Sequence, residues 1–191
     1  DIGTVYSAVF YHAGKEYPAY RFLENDSTSV QYFNDKGENL KKAFLKAPLR
    51  FTRISSGFSY SRRHPVTRIV RPHTGVDYAA PKGTRVMTIG DGVVVQRGYS
   101  GGGGNTVKIK HNATYTSAYL HLSGYAPGLR VGSRVRQGEV IGYVGSTGLS
   151  TGPHLDFRIW RNGAPINPLK MESPPAKEVS RSNMDSFLAS V

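Results

Sequence analysis

The chain has no cysteine in its 191 residues. Disulfides and thiolate metal sites are therefore excluded, and any metal must be held by imidazole and carboxylate. No stretch approaches the roughly 20 apolar residues of a membrane span. No signal peptide is recognised, and the chain opens at Asp1 as though within a domain. Helical periodicity is nearly absent. Acidic residues are scarce in one region. Residues 51–170 hold only Asp77, Asp91, Glu139 and Asp156 against sixteen Lys and Arg, so the whole formal excess of +12 lies there. Such basicity either serves solubility or favours a polyanionic partner: nucleic acid, anionic membrane or an acidic wall polymer. Two of the four acids adjoin histidines, which sets them apart from surface decoration.

What is present reads as strands and turns. A chain of this length buries roughly 70% of its unfolded surface and folds without staples. VYSAVFYHAG and EYPAYRF, within residues 1–24, predict two strands about a turn near Gly14. STSVQYF (27–33) predicts a third, followed by an NDKG turn at 34–37. ENLKKAFLKA (38–47) predicts a helical turn or two, stopped at Pro48. His12 stands alone as a surface or packing residue. Phe51 opens a new unit, in which SRRHPVTRIVRP (61–72) predicts a basic loop, with His64 structural or substrate-facing. Short strands follow over 86–96, 105–111, 114–122 and 129–145. This pattern predicts an all-β sandwich or barrel. GYSGGGG (98–104) predicts a mobile loop; it lacks the lysine and helix of a phosphate loop. The expected domains are a partial N-terminal β domain over 1–50, a main domain over 51–170, and a tail or short helix over 171–191.

The chemistry lies in three short signals. His73 and Asp77 stand four apart in HTGVD. TYTSAYLHL, read as a regular strand, puts Tyr115, Ser117, Tyr119 and His121 on one face and Leu120 and Leu122 on the other. In GPHLDF, His154 and Asp156 share a face opposite Leu155 and Phe157. Each signal alone is weak. Together they supply imidazoles and carboxylates on a β scaffold, a set suited to zinc with open positions.

PHTGVDYAAPKGTRV, AYLHL and GSTGLSTGPHLDFRIW resemble the LytM/lysostaphin-type zinc peptidoglycan endopeptidases along all of residues 51–170. YFNDKG, KAFLKAP and RISSGFS are further similar to the murein DD-endopeptidases of Gram-negative envelopes. The resemblance implies an antiparallel β core with an open groove, a small β domain before it, and zinc as cofactor. It implies peptidoglycan stem peptides and cross-links as substrate, and an exported chain in the periplasm or cell envelope. His73 and Asp77 match the first two zinc ligands, and His121 and His154 match the catalytic imidazoles. Tyr119, Thr151 and Gly152 are assigned to substrate binding. The third zinc ligand of the family is the second histidine of His-x-His, and here that position is Asp156. A carboxylate is shorter than an imidazole and cancels more of the ion's charge. The expectation is weaker zinc binding and lower activity, which Asp156→His would raise. A catalytically degenerate module that binds wall peptides or regulates another hydrolase stands as the alternative. Nucleic-acid binding, which calls for aromatics interleaved with Lys and Arg on one sheet face, is disfavoured, because the twelve tyrosines are scattered and several share faces with the histidines.

Overall fold

A computed structural model describes residues 3–25, 27, 29–63 and 70–191. The chain divides into two compact units, Asp1–Phe44 with Ser173–Val191, and Leu45–Glu172. In the first, β1 (Ser7–His12) and β2 (Lys15–Phe22) form an antiparallel hairpin. Its two-residue turn has positive φ at Ala13 (50°) and Gly14 (74°), the twist that suits tight hairpins. β3 (Gln31–Phe33) pairs with β2 and is shorter than the strand expected over 27–33. The NDKG turn forms as expected, with Asn34 Oδ1 accepting from the Lys36 and Glu38 amides.

The helical turns expected over 38–47 do not form. Bridges join Glu38 to Glu178 and Lys42 to Pro175 instead. A short segment cannot nucleate a helix against available tertiary pairing. The C-terminal residues are consequently not a free tail. In α1 (Met184–Leu188), Phe187 is fully buried, with its ring 5.3 Å from Phe22 and 5.8 Å from Phe33. Glu24 is buried near the same segment and accepts from Lys177 Nζ (2.8 Å) and the Ser180 amide (2.7 Å). Burial pushes its pKa up, but these two donors outweigh that and hold it at about 2.

Every strand pairing described in the second unit is antiparallel. Its strands are β4 (Arg53–Ser56), β5 (Ser59–Arg63), β6 (Val70–His73), β7 (Val76–Ala79), β8 (Arg85–Met87), β9 (Gly92–Tyr99), β10 (Asn105–Lys110), β11 (Tyr115–Tyr125), β12 (Arg134–Val135), β13 (Val140–Val144), β14 (His154–Arg161) and β15 (Ala164–Ile166). The main sheet runs β12-β9-β10-β11-β14-β7-β4, with β13 bridging β11 and β8, and β15 flanking β14. β5 and β6 pair separately. Of the basic loop expected over 61–72, the described residues 61–63 and 70–72 are strand, paired as a two-stranded ribbon; His64 lies outside the described residues. The apolar side chains alternate as strand geometry requires. Val76, Tyr78, Leu155, Phe157 and Ile159 are buried on one side of β7 and β14.

Tyr119, expected at the substrate, belongs to this core. It is 0% exposed. Its Oη accepts from the Ile89 amide (3.0 Å) and Ser117 Oγ (3.0 Å), and His111 Nε2 lies 2.8 Å from that same Oγ. The Tyr119 ring packs 5.3 Å from Phe157. Tyr119→Phe would leave the buried Ile89 amide without its acceptor. Thermal denaturation should show a loss of about 1–2 kcal/mol, or roughly 3–8 °C in Tm. Turnover per folded molecule should not change; a raised KM with unaltered Tm would return Tyr119 to the substrate.

Candidate metal and catalytic centre

β7 and β14 pair with Asp77 directly opposite Asp156 and Ala79 opposite His154. Because alternate residues share a face, Asp77, His154 and Asp156 all leave the groove side of the sheet. His73 ends β6, and two residues separate it from the start of β7. Its Nε2 lies 3.0 Å from Asp77 Oδ1 and 3.8 Å from Asp156 Oδ2. His154 Nε2 lies 3.9 Å from Asp77 Oδ1. Gly75 permits this approach, since a Cβ there would overlap Asp156 Oδ1.

His121 reaches the same groove by a different device. Its φ is +61°, a left-handed conformation in the middle of β11, and the pairing with β10 shifts register across it, Val107 facing Tyr119 and Asn105 facing Leu122. The extra residue breaks the alternation. Leu122, 0% exposed, takes the core position after Tyr119, and His121 turns to the groove beside Ala118 and Leu120. The face assignment expected for TYTSAYLHL is therefore corrected at His121. The imidazoles of His121 and His154 lie 4.7 Å apart, centroid to centroid.

All three groove imidazoles are oriented in one way. His73 Nδ1 is bonded to the Gly57 carbonyl (3.0 Å), His121 Nδ1 to the Thr147 carbonyl (2.7 Å) and His154 Nδ1 to the Gly152 carbonyl (2.8 Å). A carbonyl only accepts, so each Nδ1 carries the proton and each Nε2 is directed to the centre. Burial, with His154 adding to it, lowers the pKa of His121 and keeps it neutral. For His73, burial opposes protonation, but the carboxylates of Asp156 and Asp77 outweigh it and raise the pKa to about 10. Burial would push Asp156 up, yet His73 and Arg158 hold it well below the carboxylate range.

The groove encloses about 480 Å³. Pro72, Ser100, Gly102, Gly103, Leu149 and Thr151 line it, together with Lys108, Arg158 and Trp160. Pro72, the glycine-rich stretch and residues 149–151 thus each contribute to its lining. The glycine-rich segment is not the loose loop expected. Ser100 N–H donates to the Gly104 carbonyl and Leu149 N–H to the Gly102 carbonyl, both at 2.8 Å. Side chains at Gly104 or Gly148 would overlap Thr147 or the Gly104 backbone. The glycines allow two backbones to touch.

Residues 71–168 match the model of Peptidase family M23. The chain belongs to that family. It is 40% identical over 187 residues to the peptidoglycan DD-endopeptidase ShyC of Vibrio cholerae, covering 98% of this chain and 42% of the relative. A crystal structure of a zinc-containing peptidase from Vibrio cholerae superposes with a TM-score of 0.66 at 34% identity, covering 88% of this chain and 50% of that one. The catalytic domain of lysostaphin from Staphylococcus simulans gives 0.55 at 33% identity, covering 61% and 89%. The chain spans less than half the length of the curated relative it matches.

Within this M23 domain, His73, Asp77 and Asp156 offer donor atoms all within 4.8 Å of one another. Donors around a tetrahedral zinc stand about 3.3 Å apart, given ligand bonds of about 2.0–2.2 Å. The observed 3.0 and 3.8 Å separations bracket that value, so the donor set fits. Of the residues expected at the substrate, Thr151 lines the groove and Gly152 orients His154 through its carbonyl. Sequence reading missed Arg158. Its Nη2 lies 2.6 Å from Asp156 Oδ2 and its Nε 3.0 Å from Oδ1. Its place two residues beyond Asp156 on a strand was the available signal.

The His73 and Asp156 shifts contribute to the pH dependence of the metal-free chain. A raised His73 pKa stabilises fully below its ordinary 6.5, and that contribution is lost as pH rises toward about 10. A lowered Asp156 pKa stabilises fully above its ordinary 3.8. In chelator, Tm should therefore fall between pH 7 and 10, and His73→Gln should flatten that limb. An unchanged slope would mean that the carboxylates do not hold a proton on His73.

Proposed function

We propose that this chain is a zinc-dependent endopeptidase that hydrolyses peptide cross-links of peptidoglycan in the periplasm or cell envelope of a bacterium. The observation that carries this reading is the shared orientation of the three imidazoles, with Nδ1 tied to carbonyls and Nε2 turned to buried carboxylates in an open groove. His73, Asp77 and Asp156 would hold the ion. When bound, zinc supplies a Lewis acid and lowers the pKa of water to about 7. His121 and His154 are the proton-handling pair. In the neutral tautomer each presents a lone pair at Nε2, so either can take the proton of the attacking water as the C–O bond forms. Burial and the neighbouring His154 lower the proton affinity of His121, so it readily gives up the proton it takes. That proton passes to the leaving amine as the C–N bond breaks, and the imidazolium meanwhile donates to the developing oxyanion.

The groove suits an anionic peptide. Gln96, Lys108, Ala118 and Arg158 stand in register across β9, β10, β11 and β14. Lys108 Nζ lies 4.8 Å over the Trp160 ring, an arrangement that holds a cation on an aromatic face. Stem peptides carry free carboxylates, and this row would receive one beside the scissile bond. A second reading, a module that binds wall peptides without cutting them, is favoured by the engagement of Asp156 with Arg158.

Zinc analysis with digestion of isolated sacculi separates the two readings. The endopeptidase requires one zinc per chain and release of cross-linked peptides that stops in chelator; the binding module gives peptide retention without product. His121→Ala and His154→Ala should each lower kcat by about 10²–10⁴ with zinc content kept. Lys108→Gln should instead raise KM roughly 3–10-fold and leave kcat in place.

A further inference from the structure

We infer that Arg158 and Asp156 work as one unit at the third ligand position, the guanidinium offsetting the carboxylate that stands where M23 relatives carry a histidine. This inference rests on the zinc reading above. It begins with charge. A His/Asp/His set brings one negative charge to an ion, whereas His73, Asp77 and Asp156 bring two. Arg158 restores the count to one. Its fork is set against both carboxylate oxygens, with Nη2 at 2.6 Å from Oδ2 and Nε at 3.0 and 3.1 Å from Oδ1 and Oδ2. Asp156 is 3% exposed, so this contact is little screened by water.

The contact also follows from the fold. His154, Asp156, Arg158 and Trp160 are successive groove-face residues of β14, so the arginine is the next side chain along the same wall. A carboxylate oxygen has two lone pairs, and it can accept from Arg158 and still offer a lone pair to an ion. The guanidinium thereby fixes the orientation of Asp156, as partners of metal ligands generally do. Gly75 leaves room for both, since a Cβ there would meet Asp156 Oδ1 and the Arg158 side chain at once. Arg158 is a positioning residue that acts through Asp156.

The consequence reverses the expectation drawn from the motif alone. Asp156→His by itself would complete a His/Asp/His set but strand a half-buried guanidinium next to the ion. Four proteins test this: wild type, Asp156→His, Arg158→Gln and the double variant, each titrated with zinc by competition against a chromophoric chelator. Arg158→Gln should tighten zinc by less than about tenfold with Asp156 in place, and by a hundredfold or more when combined with Asp156→His. Asp156→His alone should bind more weakly than wild type. Arg158→Lys, which keeps the charge, should stay within about threefold of wild type. Asp156→Asn with and without Arg158→Gln carries the same comparison should the histidine variant not fold. Equal effects of Arg158→Gln in both backgrounds, or tight binding by Asp156→His alone, would overturn the inference while leaving a zinc enzyme. Failure of all four proteins to bind zinc would overturn the function proposed above and the unit's ligand role with it. Tm in chelator reads the ion pair separately: Asp156→Asn should lower it, and adding Arg158→Gln should recover part of the loss.

Discussion

Two carboxylates face each other across neighbouring strands, and the rest of the site answers to that arrangement. The β7–β14 register sets Asp77 opposite Asp156, with 8% and 3% exposure. Like charges directly opposite on a sheet repel, and burial removes the water that would screen them. Around them the chain gathers positive charge: His73 between the two and Arg158 against Asp156. A divalent ion is the ligand such a concentration of negative charge calls for. The cationic field of residues 51–170 is in this sense the surrounding of a small acidic centre.

The groove depends on departures from regular strand geometry. A non-glycine residue in the left-handed region costs of order 1–3 kcal/mol, and His121 occupies it in the middle of β11. Regular alternation would have sent that imidazole into the core beside Tyr119. Leu122 takes the core position instead, and His121 comes within 4.7 Å of His154. The glycine-rich stretch serves a related end. Gly104 and Gly148 let two backbones meet, so the wall beside His121 is held by main-chain hydrogen bonds.

Some of this was legible from residue types and spacing. The all-β architecture followed from short alternating runs and turn residues, and the family followed from three motifs in their order. His154 and Asp156 shared a face because β14 is regular from end to end. The same rule failed on β11, where local backbone strain overrode period-two reasoning. Tyr119, assigned to the substrate, is held in the core by burial and by two hydrogen bonds to its hydroxyl. The helical turns near residue 40 gave way to pairing with residues 174–178, a contact that joins segments far apart in the chain.

The amino-acid sequence by itself determined which chemistry was available: imidazole and carboxylate without thiolate, on strands, with one position departing from the family's histidine. Tertiary structure decided how those groups meet. It set Asp77 against Asp156, turned His121 out of its expected face, and set Arg158 beside the departing carboxylate. Register, bulges and ion pairs are properties of strands in contact, and the energy that selects them arises only once distant segments pack and exclude water.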